Sequence, residues 1–74
     1  MDINNYSYIN SKTEETIIAH SGTVFFTLDC NYFNEKYYTV ENVLSDTDIK
    51  IFGLSEYSSA TEYYNALVPD SEKI

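Results

Sequence analysis

Two residue types that could perform nucleophilic catalysis occur once each in this sequence, as Cys30 and His20. A cysteine beside a histidine base is a common arrangement for an enzymatic nucleophile. Cys30, however, shares one side of a predicted strand with the apolar residues Val24, Phe26 and Leu28. We therefore expect a buried, unreactive thiol. A small enzyme or ligand-binding domain stays a hypothesis, which a Cys30→Ala, His20→Ala double variant would test.

The acidic pair Asp46 and Asp48 begins like a calcium-binding loop, but the other ligands of such a loop are missing. Counting from Asp46, the fifth, sixth and twelfth positions need an oxygen ligand, a glycine and a glutamate. The sequence has Lys50, Ile51 and Tyr57 there. One cysteine and one histidine are too few for a structural zinc site, and two glycines provide no phosphate-binding loop. We expect no metal, no cofactor and no catalytic residue.

The charge balance is strongly acidic: 74 residues carry twelve Asp and Glu against four Lys, a formal net charge of −8. This composition argues against direct binding to nucleic acid, which needs clustered cations to displace counterions. A single cysteine excludes an internal disulfide framework. The first residues have no basic start and no apolar run, so we expect no signal peptide and no membrane span. The sequence predicts one cytoplasmic domain over 1–74, with flexible ends at 1–12 and 70–74.

Alternating apolar and polar residues predict the strands of a small sheet. The clearest strand covers 23–30, and a Ser21-Gly22 turn joins it to a strand over 16–20 in a first hairpin. A Ser-x-x-Glu capping box at 11–14 would start a helix instead, but the β-branched residues after it favour the strand. The remaining predicted elements are an edge strand near 6–10, a second hairpin over 31–40 with a polar turn at 34–36, a helical turn at Val40, Val43 and Leu44, a loop at 45–48 and a strand over 49–54.

The C-terminal part of the sequence predicts one amphipathic helix. A second Ser-x-x-Glu capping box, at 59–62, marks its start, and Pro69 ends it. Apolar side chains recur between them at helical spacing: Ala60, Tyr63, Tyr64 and Leu67. Strands followed by one helix indicate an α+β fold, a small antiparallel sheet of three to five strands with the C-terminal amphipathic helix packed on it.

Tyrosines and acids are the residues most typical of a binding surface here. Tyrosine gives a large contact area at low entropic cost, and eight are present. Tyr64 and some of Tyr32, Tyr37 and Tyr38 are expected to fill the core, but one ring of the adjacent Tyr37-Tyr38 pair must point away from it and be exposed. Five acids lie between 41 and 62 against a single lysine. The candidate partner-binding residues are Glu41, Asp46, Asp48, Glu56, Glu62, Tyr37, Tyr57 and Tyr63.

The spacing of Asp46 and Asp48 favours a basic partner. In an extended chain their side chains would lie about 6.7 Å apart on one side. Phosphates follow one another along a DNA strand at about 6–7 Å. A surface of carboxylates and tyrosines can therefore occupy the nucleic-acid groove of another protein, with a long-ranged and salt-sensitive attraction. An acidic surface that only maintains solubility is the alternative.

In size, acidity and lack of catalytic motifs, and in the acids and tyrosines named above, the chain resembles small phage-encoded inhibitors of host defence. Anti-CRISPR proteins, restriction inhibitors and inhibitors of uracil-DNA glycosylase belong to this class. The resemblance covers the whole chain, although four interspersed lysines interrupt the acidic run. It implies a stoichiometric, non-enzymatic inhibitor of a nuclease complex or other basic nucleic-acid-binding protein in a bacterial cytoplasm. Such an inhibitor either blocks the DNA site (a DNA mimic) or clamps a moving part.

A hypothesis of another class is a structural or oligomeric module, such as an immunity or assembly protein. It rests on the Tyr-rich region 32–40, which as an edge strand could pair with a second copy. Contacts of that kind would be apolar and only weakly salt-dependent. A homo-oligomer is therefore left open by the sequence.

Overall fold

A computed structural model, which describes residues 12–44 and 49–74, shows a four-stranded antiparallel sheet with one C-terminal helix. The elements in chain order are β1 (Lys12–Ser21), β2 (Val24–Asn31), β3 (Lys36–Asn42), β4 (Ile49–Gly53), a 3₁₀ turn (Leu54–Glu56), helix α1 (Tyr57–Leu67) and a second 3₁₀ turn (Asp70–Glu72). The predicted α+β class is confirmed.

Among the described residues, the strands lie in the sheet in the order β1-β2-β3-β4, so β1 and β4 are its outer strands there. The Tyr-rich region 32–40 therefore does not provide an edge. Its strand residues belong to β3, which is paired on both sides, and Tyr32 and Phe33 lie in a turn. The expectation that this region could pair with a second copy is wrong, because its backbone groups are already used within the sheet.

β1 settles the ambiguity between helix and strand near the N-terminal end. It pairs with β2 from Lys12–Asn31 to Ser21–Val24, with two irregularities in register. Gly22 takes φ +58° in the connecting turn, a left-handed conformation that glycine adopts without steric cost. The helix alternative is wrong, because residues 16–20 belong to β1, which pairs with β2. The edge strand expected near 6–10 lies outside the described residues.

The face of the sheet that packs on α1 contains the core. Phe26 lies at its centre, with ring centroids 5.8 Å from Tyr38 and Tyr64 and 5.7 Å from Tyr57. Tilted and edge-on ring pairs at these distances stabilise a core beyond the area they bury. The buried cluster consists of Phe26, Val40, Phe52, Ala60, Tyr64 and Val68. The side of β2 that was predicted to hold Val24 and Phe26 is the side that faces the helix.

α1 begins at Tyr57, two residues before the predicted capping box. The residue that caps this region is Glu56, whose carboxylate accepts a hydrogen bond from the Gly53 backbone N–H at 2.7 Å. The Ser-x-x-Glu sequence at 59–62 lies inside the helix. The predicted start was therefore wrong, because a 3₁₀ turn carries the chain from β4 into the helix.

The apolar stripe of α1 was only partly predicted. Ala60 and Tyr64 are fully buried against the sheet as expected. Tyr63 and Leu67 remain exposed, and Val68, just after the helix, takes the last core position. The stripe is thus narrower than the sequence spacing indicated.

The connections also differ from their predictions. The turn between β2 and β3 lies at 32–34, before the predicted polar segment 34–36. β3 continues to Asn42, so the helical turn expected at Val40, Val43 and Leu44 does not form. The Val43 N–H instead donates to the Thr23 carbonyl at 2.9 Å. The loop expected at 45–48 falls outside the described residues.

The C-terminal tail, expected to be flexible, is attached to the helix. The Asn65 side-chain amide donates to the Ile74 carbonyl at 3.1 Å and accepts from the Ile74 N–H at 3.0 Å. Lys73 and Asp70 form an ion pair at 2.8 Å within the second 3₁₀ turn. These contacts give residues 70–74 a defined path.

Candidate partner-binding surfaces

Four of the predicted partner-binding residues lie in the helical layer of the molecule. Glu56 and Glu62 are exposed, and Tyr57 and Tyr63 expose 45% and 37% of their surfaces. Tyr57 contacts the core through Tyr38 at 5.4 Å, and the Tyr63 ring lies 5.8 Å from the Lys50 ammonium. The Tyr57 and Tyr63 side chains are therefore partly fixed by the sheet beneath them.

The other predicted residues do not join that group. Tyr37 and Glu41 belong to the face of β3 that points away from α1, which we call the helix-free face. Tyr37 is only 3% exposed, and Tyr38 is half-buried, so the expectation of an exposed ring in this pair is wrong. Asp46 and Asp48 lie outside the described residues. The described candidates thus occupy two opposite sides of the sheet and form no single patch.

The most exposed aromatic side chains lie instead in the turn between β2 and β3. Tyr32 and Phe33 expose 74% and 78% of their surfaces. We call residues 31–35 the aromatic turn. Neither ring contributes to the core; of Tyr32, Tyr37 and Tyr38, some of which were expected to fill it, Tyr37 is buried and Tyr38 is half-buried. Two adjacent exposed rings are an uncommon feature of a surface turn, and aromatic residues are enriched at protein interfaces.

The aromatic turn has a well-defined backbone. Asn31 is buried, and its side-chain oxygen accepts hydrogen bonds from the Phe33 and Glu35 N–H groups at 2.9 and 3.0 Å. Its side-chain amide donates to the Glu35 carboxylate at 3.0 Å. Asn34 takes φ +65°, and its N–H donates to the Asn31 carbonyl at 3.0 Å. The turn therefore presents Tyr32 and Phe33 from a preorganised loop.

Sequence reasoning missed this surface because it searched for a turn among polar residues. Two asparagines could have located it. Asn at the first position of a turn accepts from the backbone two residues on, and Asn also tolerates the left-handed conformation. Asn31 and Asn34 have this spacing, with Tyr32 and Phe33 between them. A three-residue hairpin loop of this type places its central side chains in solvent.

The acidic charge is only partly neutralised within the fold. Lys12 lies 3.3 Å from Glu15 and 3.8 Å from Asp29, and Lys73 pairs with Asp70. Over 12–44 and 49–74, no ion pair reaches six of the acids: Glu14, Glu35, Glu41, Glu56, Glu62 and Glu72. The surface therefore keeps a negative field that a cationic partner could complement.

The helix-free face contains a buried carboxyl group. Asp29 is 2% exposed, and its Oδ1 atom accepts no hydrogen bond from the residues the structure describes. Burial raises the pKa of Asp29 above its ordinary value, and the Lys12 ammonium and the Thr27 hydroxyl act against this rise. Thr27 itself pairs with Thr39 through their hydroxyls at 2.6 Å. A cavity of about 70 Å³ lies beside Asp29.

Cys30 and His20 lie apart on the first hairpin. Cys30 is a buried free thiol, and its Sγ lies 3.6 Å from the Asn34 side-chain oxygen. His20 is exposed and stacks on Phe25, its cross-strand neighbour, at 5.2 Å. Phe25 and Cys30 are five residues apart on β2, which leaves about 16 Å between the two sites along the strand. The predicted burial of the thiol is confirmed.

In the described part of the chain, no group of three or more potential metal ligands is arranged to hold an ion. None of the described helices has the length and apolarity needed to cross a membrane. Comparisons with protein-family models, with curated proteins and with solved structures found no match to this chain. Fold and surface together define a small α+β protein with an acidic exterior and a preorganised aromatic turn.

Proposed function

We propose that this chain acts without catalysis, as a small acidic inhibitor that binds a basic nucleic-acid-handling protein or a nuclease complex. The bound inhibitor would block the nucleic-acid site or a required movement, as anti-CRISPR-type inhibitors do. The proposal places the chain in the cytoplasm of a bacterial host, with phage as its source. The partner is a protein, and nucleic acid is its competitor.

The observation that carries this proposal is the set of six acids without an ion pair. Carboxylates that no lysine neutralises are free to pair with the lysines and arginines of a partner. Fields of this kind increase association rates and weaken steeply as salt rises. A nucleic-acid-binding groove is a dense cationic surface of this kind, because its lysines and arginines pair with phosphates.

The aromatic turn supports a specific contact in addition to electrostatic attraction. Tyr32 and Phe33 can enter an apolar pocket without first leaving a core. The hydrogen bonds of Asn31 hold their backbone, so little conformational entropy remains to be lost on binding. Buried aromatic anchors surrounded by polar contacts typically dominate the energy of an interface.

The test is a capture experiment followed by an inhibition assay. Tagged protein is incubated with bacterial lysate and washed at rising salt, and the captured proteins are identified by mass spectrometry. The identified partner is then purified, and its nuclease or DNA-binding activity is titrated with the chain. We expect inhibition to saturate at a fixed molar ratio and competing DNA to release the complex.

Two variants separate the contributions. Glu41→Gln with Glu62→Gln removes charge from both sides of the sheet and should weaken binding at low salt and reduce its salt sensitivity. Tyr32→Ser with Phe33→Ser should weaken binding by about 2 kcal/mol or more, roughly 30-fold in Kd. Ser58→Ala, an exposed neutral change on α1, is the matched control. Capture of no basic nucleic-acid-binding protein, or no inhibition of the one captured, contradicts the proposal.

Self-association through β1 is the second candidate function, that of an oligomeric module. β1 is a ten-residue edge strand, and Ile17 and Ile18 on it are exposed. Unpaired edges with apolar side chains are templates for strand pairing between copies. Light scattering after size exclusion tests this candidate. A salt-resistant dimer that Ile17→Lys converts to a monomer would favour it, and a monomer for both proteins would contradict it.

A further inference from the structure

One flank of helix α1 is exposed and carries little charge. It consists of exposed residues at helical spacing, which we call the α1 flank: Ser59, Glu62, Tyr63, Ala66 and Leu67. Tyr63 and Leu67 expose 37% and 47% of their surfaces, although both side chains are large and mostly apolar. One of the eleven residues of α1 is charged, against 22% of the whole chain. A surface helix normally carries charged residues on its solvent side, so the α1 flank has the composition of an interface.

Two opposite charges border the Tyr63 ring. The ring lies 5.9 Å from the Phe52 ring, and the exposed Lys50 places its ammonium group 5.8 Å from the Tyr63 ring centre. These contacts put Tyr63 on the side of α1 nearest β4. Successive helix residues are rotated by about 100°, so the buried Tyr64 and the exposed Glu62 point to opposite sides of Tyr63. Lys50 therefore borders Tyr63 on the sheet side, and Glu62 borders it on the outer side.

This arrangement of charges is complementary to a second copy of itself. Most homodimers are twofold, so that a residue i of one copy contacts a residue j of the other while j contacts i. If a twofold axis runs along α1 in the plane of the contact, the sheet side of one copy faces the outer side of the other. Lys50 of each copy then faces Glu62 of the second copy, and the two Tyr63 rings lie between these pairs.

The net charge of the chain restricts where two copies can meet. Each copy carries −8, so surfaces rich in acids repel one another. The formal charges of the α1 flank and Lys50 sum to zero, because Glu62 and Lys50 cancel. Apolar side chains and balanced charges are therefore combined at this surface, as contact between like-charged copies requires.

Other exposed apolar groups suit self-association less well. Tyr32 and Phe33 project from a turn and fit a concave partner surface. Ile17 lies on β1, where Glu14 and Glu15 precede it and would be brought close to a second copy. We propose that the chain forms a twofold dimer through the α1 flank and Lys50, with reciprocal Lys50–Glu62 ion pairs around Tyr63 and Leu67.

The dimer would leave the aromatic turn free, because residues 31–35 belong to neither α1 nor β4. One particle then presents two aromatic turns, which increases avidity for a partner that has two sites. Self-association does not rest on the proposed inhibitor function, since the purified chain needs no other protein for it. A dimer without any captured nucleic-acid-handling partner would support the dimer and contradict the inhibitor function. An inhibitor that stays monomeric at all concentrations would give the reverse result.

Sedimentation velocity of the full chain over a range of concentrations tests the dimer. The α1 flank is smaller than the about 20–30 residues a side of a stable interface, so the dimer should be weak. We expect a monomer–dimer equilibrium with a dissociation constant between about 10 µM and 1 mM. A monomer throughout this range would overturn the proposal.

Charge exchange at exposed positions identifies the interface. Glu62→Lys should weaken the dimer about tenfold or more, because it places lysines opposite one another at both pairs. It does so although the net charge falls from −8 to −6, which by itself favours association. Glu14→Lys, an exposed change on β1 with the same effect on net charge, is the matched control and should not weaken the dimer. Equal effects of Glu62→Lys and Glu14→Lys would overturn the proposal.

The reciprocal exchange is the decisive variant. Lys50→Glu should also weaken the dimer about tenfold or more, and Lys50→Glu combined with Glu62→Lys should restore it to within about threefold of the wild type. The double variant keeps the net charge of −8, so its recovery reports the pairing itself. Failure of the double variant to recover would overturn the reciprocal contact.

Amide chemical shifts of the wild type, measured at increasing concentration, locate the contact independently of any substitution. We expect changes at Lys50 and over 59–67, and constant shifts at Thr16 and Tyr32. Ile17→Lys, which tests pairing through β1, should leave this dimer in place. Shift changes centred on β1, or loss of the dimer in Ile17→Lys, would overturn the proposal in favour of strand pairing.

Discussion

Replacing Asn31 with alanine should destabilise the fold and release the aromatic turn. The change removes three hydrogen bonds, two accepted from the Phe33 and Glu35 N–H groups and one donated to the Glu35 carboxylate. Each is worth about 0.5–1.5 kcal/mol net. Phe33 and Glu35 are exposed, so water can replace part of what is lost. We therefore expect each hydrogen bond to contribute a value in the lower part of that range, so that the free energy of unfolding falls by about 1.5–3 kcal/mol in all.

This loss is large against the total stability of such a domain. At about 0.05–0.15 kcal/mol per residue, the free energy of unfolding of a 74-residue chain is about 4–11 kcal/mol. The variant should stay folded, with its melting temperature lowered by about 6–24 °C, since 1 kcal/mol corresponds to about 4–8 °C at this size. Urea denaturation and thermal melting, both followed by circular dichroism, measure the two quantities independently.

Two control variants identify the cause. Asn31→Asp keeps an oxygen for the two N–H donors but places a carboxylate about 3.0 Å from the Glu35 carboxylate. At low pH, Asn31→Asp should therefore lose less stability than Asn31→Ala. Near neutral pH, the loss caused by Asn31→Asp should be larger than at low pH. Tyr32→Ser with Phe33→Ser should change stability by about 0.5 kcal/mol or less, because both rings are exposed. If Asn31→Ala costs no more than this double variant, Asn31 does not hold the turn and the preorganisation argument is refuted.

Three further predictions concern the core, the thiol and the buried acid. Phe26→Ala should cost about 3–5 kcal/mol in urea denaturation, because the ring is fully buried among three tyrosines; a loss no larger than that of the exposed Leu54→Ala would contradict the core described above. Cys30 should react with Ellman's reagent only as fast as the chain opens, and immediate labelling of the native protein would contradict its burial. Burial raises the pKa of Asp29 in the folded protein above its ordinary value of 3.8, which favours the protonated carboxyl group in the fold. The contribution of Asp29 to the stability of the wild type is therefore fully present below pH 3.8. It is lost as the pH rises through the pKa of the folded state. The stability of Asp29→Asn relative to wild type should therefore increase from about pH 4 towards neutrality, and a difference independent of pH would contradict the raised pKa.

The strands were the most predictable part of the fold. Alternation with a period of two residues reports directly which side chains share a face, and in β2 it correctly separated Phe26 from Thr27. Periodicity carries this information because one face of the sheet is buried by the helix. It required no knowledge of the tertiary structure.

The helix boundary was less predictable because the capping-box pattern is short. The pattern Ser-x-x-Glu occurs at 11–14 and at 59–62, and neither occurrence starts a helix. The contact that does form joins Glu56 to the backbone of Gly53 at the end of β4. Whether a local pattern acts as a cap depends on where the preceding strand ends, which the four residues themselves do not encode.

The described candidate binding residues do not share one surface, for a topological reason. Glu41 and Glu62 are the first and last acids of the acidic segment 41–62, but they lie on β3 and α1, on opposite sides of the sheet. Tyr37 points away from the helix as predicted by its adjacency to Tyr38, yet it is buried. Proximity along the chain therefore did not translate into a common surface.

In a protein of this size, the exposure of Tyr32 and Phe33 in the aromatic turn is the observation that best distinguishes a binding role from a structural one. A small domain has little apolar material to spare, and burying Tyr32 and Phe33 would have strengthened its core. The chain instead places both rings in solvent and fixes the backbone beneath them with Asn31 and Asn34. Among the described residues, none of the hydrogen bonds that hold the turn involves either ring. The two exposed rings can therefore contact a partner at low entropic cost. For this reason the partner should be sought first with Tyr32 and Phe33 intact and then with both replaced.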